Sequence, residues 1–220
     1  MNHLFRLTSV LLLLAMTSAC ATMNKEECET ADWRALGFED GSQGLQLEQL
    51  RKRMEACSKH GLEVSDNEYQ IGYAEGIAEF CTPLGGLEAG EAGKQYNAVC
   101  PATTEADFLA AYEKGKEYHD MKSRHERAHD DYWDLVEEID ENSAEIADMK
   151  EELDSISDCD EYNKQVKEIN RLVSENNKKR RSLSRHRSSA ESAERRFNRF
   201  NGPYQDWRAR FVEAQLAAEQ

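Results

Sequence analysis

Residues His125-Glu126-Arg127-Ala128-His129 spell H-E-x-x-H. On a helix, histidines four apart share a face. Both imidazoles can then reach one zinc ion, with the glutamate as general base on a metal-bound water. No third ligand lies nearby in sequence, and Glu191 or Glu194 would have to supply it. Arg124, Arg127, Asp130 and Asp131 crowd the segment with charge, whereas such zinc helices are buried and mostly uncharged around the motif. A chain with 43 acidic residues and six histidines meets the pattern by chance. These residues are therefore read as no catalytic set and no resident cofactor. A zinc-binding hydrolase on His125, His129 and Glu191 or Glu194 is the alternative. The sequence has no nucleophile elbow, phosphate-binding loop or dinucleotide fingerprint.

The second reactive type is cysteine. Arg6 followed by the apolar run Leu7 to Ala19 reads as a signal peptide over residues 1–19, too short to span a bilayer as a helix. It ends Thr17-Ser18-Ala19-Cys20, which resembles a lipobox, with Thr17 where leucine is usual. Cys20 is then the acylated residue, on a tether over residues 20–24. Ala21 after it points to an outer-membrane lipoprotein facing the periplasm. Cleavage after Ala21, since Ala19-Cys20-Ala21 fits A-x-A, would instead give a soluble secreted or periplasmic protein. Export implies an oxidising compartment, so Cys28, Cys57, Cys81, Cys100 and Cys159 become disulfide candidates, and an odd number leaves one unpaired.

Helices must position these cysteines. With mean hydropathy −0.82 and 32% charged residues, long solvated helices with narrow apolar seams fit better than one thick core. A small–aromatic–x–x–small pattern recurs at Gly37–Gly41, Gly72–Gly76 and Ala111–Gly115. Helices are expected over Asp32 to Gly41, Leu47 to His60, Ser65 to Cys81 and from Thr104, with Ser65 and Glu68 as a capping box. Small residues four apart let a second backbone approach, so the pattern reads as close helix packing rather than a ligand groove. If the first two helices run antiparallel about 42–43, Cys28 faces Cys57. Cys81 and Cys100 then close a glycine-rich loop. Three pairings are possible, and Cys28–Cys57 with Cys81–Cys100 is the expected one.

The run Cys28, Asp32-Trp33, Gly37, Asp40-Gly41, Gly44, Tyr69, Gly72 to Gly76, Cys81, Gly90, Gly93, Tyr96, Cys100, Ala111-Tyr112 and Gly115 resembles a family of bacterial envelope lipoproteins. That family is catalogued as domain of unknown function 2799. The resemblance covers about residues 25–118. It implies a signal peptide and a small helical, disulfide-stabilised module, and it implies no activity.

Beyond residue 115 apolar positions alternate at three and four. His125, Tyr132, Ile139, Ile146 and Leu153 form one row, and Ala128, Leu135, Asn142, Met149 and Ile156 the other. After 160 the rows restart out of phase, as in an antiparallel hairpin over 116–200 with its tip near 157–160 and Cys159 on it. Folding there sets Asn142 against Asn176 and Met149 against Ile169. Asp158 with Glu161 would cap the second arm. Residues 105–160 carry 20 acidic and 6 basic side chains, while residues 161–220 carry 14 basic and 8 acidic. The acidic arm is expected to lie against the basic arm, which makes nucleic acid an unfavoured partner. Asn201-Gly202-Pro203 should break the helix, leaving a short amphipathic tail over 201–220. The fold class is thus all-α: a disulfide-stabilised module over 25–115, then a coiled-coil hairpin. The expected partners are the membrane, through the N-terminal lipid, an envelope protein not specified by the sequence, and a second copy as homodimer.

Overall fold

The computed structural model describes residues 23–218. The signal peptide, the lipobox and Cys20 lie outside them. Every regular element described is a helix: α1 Lys25–Thr30, α2 Trp33–Ser42, α3 Glu48–Ser58, α4 Asp66–Phe80, α5 Pro83–Glu91, α6 Glu105–Leu153 and α7 Cys159–Ala218. The chain divides into two compact units. One joins the described residues up to Ala89 with Lys94–Tyr112, and the other joins Gly90–Gly93 with the described residues from Glu113 on.

In the first unit α2 and α4 pack backbone to backbone. A Cβ added at Gly37 would strike the Tyr69 carbonyl, and one at Gly41 the Tyr73 carbonyl. From the other side, Gly72 faces the Arg34 carbonyl and Gly76 the Phe38 carbonyl. Gly44 turns the chain after α2 with φ +68°, against the Phe80 ring. Asn24 caps α1 through Glu27, and Asp32 caps α2 by accepting from the Ala35 N–H at 3.0 Å. Ser65 sits at the N-cap of α4 but makes no side-chain cap bond, so the expected capping box with Glu68 is not formed. The glycine-rich stretch expected to be a loop is instead α5. Pro83 opens it at the first helical position, and Thr82 Oγ1 accepts from the Gly85 N–H at 3.0 Å. Gly86 lies so close to the Phe108 carbonyl that only glycine fits. Glycine there serves close packing, which outweighs its poor helix propensity.

Cys28 is bonded to Cys57, and Cys81 to Cys100. The second bridge lies in the core of the unit, with Ile77, Phe80, Ala89, Phe108 and Tyr112. Phe108 is fully buried, and its ring lies 4.9 Å from both Phe80 and Tyr96.

The second unit is an antiparallel hairpin of α6 and α7. Residues 154–158 reverse the chain, a little ahead of the expected tip. No glycine is needed there because Asp158 Oδ1 accepts from the N–H groups of Asp160 and Glu161, at 3.0 and 2.8 Å. Cys159 opens α7 and is an exposed free thiol. Next to the tip, Ile146, Ile169 and Leu172 are buried together, flanked by Met149, Leu153 and Val173.

Two expectations for the hairpin are corrected. Asn176 does not pair with Asn142. Its amide N–H groups donate to Ser143 Oγ at 2.9 Å and to the Ile139 carbonyl at 3.2 Å. The acidic arm does lie against the basic arm, with few close ion pairs across the seam among the described residues. Lys179–Glu138 at 3.1 Å crosses the seam, whereas Arg171 with Glu168 and Glu175, Arg187 with Glu191, and Lys122 with Glu126 pair within a helix. Side chains three or four apart on one helix are already neighbours and need no seam to bring them together. Finally, α7 runs through Pro203. A mid-helix proline costs about 3 kcal/mol. Tyr204 stacks on Tyr118 at 4.6 Å, with Trp207 next to it at 5.7 Å and Phe211 beyond at 5.1 Å. Such pairs contribute about 0.5–1.5 kcal/mol each beyond their buried area, enough together to offset that cost.

These contacts set two glycines apart. Gly72→Ala should destabilise the first unit by about 3 kcal/mol, the upper end for overpacking, because the new methyl meets backbone that cannot move aside. Gly202→Ala, with nothing within 4 Å of the added atom, should stabilise α7 by about 1 kcal/mol. Chemical denaturation of the two variants checks both signs.

Candidate functional site

The H-E-x-x-H residues lie on α6, and the structure brings their proposed partners to them. His125, His129, Glu191 and Glu194 line one cavity of about 410 Å³, together with Tyr132 and Trp133. The side chains are otherwise engaged. The His125 ring stacks on Phe197 at 5.2 Å, and His129 Nε2 accepts from the Trp133 indole N–H at 2.9 Å. Glu191 bonds Arg187 at 2.9 Å, and Glu126 faces Lys122 at 3.7 Å. Among the described residues, no three His, Cys, Asp or Glu side chains converge as a metal-ligand set.

Two other polar constellations are more deeply placed. In the first unit Asp40 is 3% exposed, in contact with Arg53 and Tyr69. Arg53 donates to both carboxylate oxygens, Nη2 to Oδ1 at 2.9 Å and Nε to Oδ2 at 3.1 Å. The fully buried Tyr69 donates its hydroxyl to Oδ2 at 2.5 Å. In the second unit Glu91 repeats this chemistry. Arg208 donates to its two oxygens at 2.7 and 3.1 Å, and the buried Tyr204 donates to Oε1 at 2.6 Å. Each is a carboxylate held by a guanidinium fork and a phenol, a geometry that gives direction as well as energy.

Position explains each trio. Asp40 follows Gly37 by three residues and precedes Gly41, so it shares the face of α2 that meets α4. A lone carboxylate there would be costly to bury, and Arg53 from α3 supplies the countercharge. Neither trio was anticipated from the sequence. For Asp40 the signal was present, a charged residue at helical spacing between two packing glycines. For Glu91 the only local hint is that Tyr204 and Arg208 lie four apart on one face of α7.

Burial, and then the bond to Asp40, push the Tyr69 phenol well above its ordinary pKa. Burial, and then Glu91, do the same at Tyr204. Tyr73 and Tyr96 are raised as well, chiefly by burial. A protonated phenol donating to a carboxylate is neither a base nor a nucleophile. Both trios have the chemistry of structural clamps.

With this geometry in hand, residues 32–117 match the model of one family, described as "Protein of unknown function (DUF2799)". That segment includes α2 to α5, the start of α6 and the Asp40 and Glu91 carboxylates. No curated protein and no solved structure matches the chain.

A phenol whose pKa rises on folding stabilises the folded chain below about pH 10, the unfolded tyrosine value, and that contribution fades as pH climbs past it. Phenolate absorbance should therefore show late steps, above the ordinary tyrosine range, from Tyr69, Tyr73, Tyr96 and Tyr204. Tyr69→Phe should remove one late step and lower stability at neutral pH by about 1 kcal/mol. Tyr162→Phe, at an exposed position, should leave the stability as it was.

Proposed function

We propose that this chain, with its DUF2799 segment, is a non-catalytic envelope lipoprotein that acts as a structural or protein-interaction module at the outer membrane. The observation that carries the reading is the pair of disulfides, Cys28–Cys57 and Cys81–Cys100, since such bridges form and persist in oxidising compartments. The lipobox-like Thr17-Ser18-Ala19-Cys20 supports an acyl anchor. Among the described residues no helix is long and apolar enough to cross a membrane.

The interaction role is drawn from the hairpin. Its acids and bases are largely unpaired across the seam, and Trp133, 52% exposed, sits on its surface. An arm of about 36 residues reaches about 54 Å at helical rise, a length suited to meeting another envelope protein. The buried Asp40 and the part-buried Glu91 are each saturated by their own arginine and tyrosine partners, which favours a binding role over catalysis.

Growing the producing bacteria with a fatty-acid probe tests the anchor. Wild-type protein should take up the label and sediment with membranes, whereas Cys20→Ser should lose the label and appear in the soluble fraction. Full membrane retention of an unlabelled Cys20→Ser protein would overturn the lipid-anchor reading.

A further inference from the structure

Arg196 and Arg199 are exposed, and neither has an ionic or hydrogen-bond partner among the described residues. Both border a cavity of about 500 Å³ in the second unit. Its floor is apolar: Met121 from α6, and Phe200, Pro203, Tyr204 and Trp207 from α7. The Tyr204 hydroxyl is occupied by Glu91, so that residue offers the cavity its ring. Lys114 and Glu117 complete the rim and bond each other at 3.4 Å, cancelling locally. Two uncompensated guanidinium groups thus stand over an aromatic floor, in a chain whose net charge is −15.

The size of the cavity narrows the occupant. A volume of about 500 Å³ falls in the range of small-molecule sites. The charge narrows it further. One guanidinium fork satisfies a carboxylate, whereas two match the three free oxygens of a phosphate monoester. We propose that this cavity binds a phosphate-headed amphiphile with a single apolar chain. The head is held by Arg196 and Arg199, and the chain lies on Met121, Phe200 and Trp207. The site does not depend on the interaction role assigned to the hairpin, and it gives the protein a ligand of its own.

Titration calorimetry on the full chain tests this with octyl phosphate below its micelle concentration. Octanol and inorganic phosphate are the two half-ligands. Octyl phosphate should bind, and each half-ligand should bind at least about tenfold more weakly. Arg196→Gln with Arg199→Gln should weaken octyl phosphate binding at least about tenfold. Arg181→Gln with Arg185→Gln makes the same change of charge elsewhere on α7 and should shift it less than about twofold. Circular dichroism should be unchanged in both double variants, since all four side chains are exposed. The proposal is overturned by absence of binding, by equal loss in the two double variants, or by inorganic phosphate binding as tightly as octyl phosphate. It is also overturned if sedimentation shows a dimer that Met121→Glu dissociates while octyl phosphate does not, for then a second copy covers the cavity.

Discussion

The approach of α2 to α4 is the constraint on which the first unit rests. Four glycines, two on each helix, remove the side chains that would hold the backbones apart. The helices then meet carbonyl against Cα, and the buried face has room for little else. That closeness brings the Tyr69 hydroxyl within reach of Asp40, and the Arg34 guanidinium to Glu75 across the same pair of helices. Arg53 follows because a buried carboxylate needs a countercharge. The turn at Gly44 is pinned from three sides. Phe80 packs on it, Asn97 donates to its carbonyl at 3.0 Å, and the Tyr73 hydroxyl bonds Leu45 at 2.7 Å. A unit with so few large apolar residues is stabilised by contact distance and covalent closure more than by bulk burial.

The same solution to the same problem appears in both units. Asp40 with Arg53 and Tyr69, and Glu91 with Arg208 and Tyr204, each tie sequence-distant elements through one carboxylate. Replacing such a trio with apolar side chains of similar volume costs little energy in general, but it removes the directional bonds that choose one packing among several. In the first unit the trio fixes the α3 side of the α2–α4 pair. In the second it holds the last part of α7 to the short segment Gly90–Gly93, beyond the proline.

The all-helical class and the presence of disulfides were legible because they depend on periodicity and composition. The spacing of Gly37, Gly41, Gly72 and Gly76 told of close packing for the same reason. What was missed depends on contacts that a local pattern does not encode. The stretch around Gly85 and Gly86 looked like a loop because glycine propensity was weighed without the approaching Phe108 backbone. Pro203 looked like a terminator because the aromatic ladder that carries α7 past it draws on Tyr118 of the other arm. Asn142 looked like the mate of Asn176 because heptad rows assume ideal drift, and here Ser143 and the Ile139 carbonyl come to the amide instead. The H-E-x-x-H segment shows the converse. Its letters fit a motif, while each ring is engaged by an aromatic neighbour.

Asn176 gives the hairpin an unusual mechanical profile. Its Oδ1 is buried and has no hydrogen-bond partner among the described residues, an imbalance worth about 1–3 kcal/mol. Toward the tip from it lies the Ile146–Ile169–Leu172 cluster, and toward the open end lies the ladder from Phe197 to Phe211. Paired helices ordinarily unzip from their free ends inward. Here both ends are fastened as well, so the two amide bonds of Asn176 that set the alignment are the last that fraying from either end would reach.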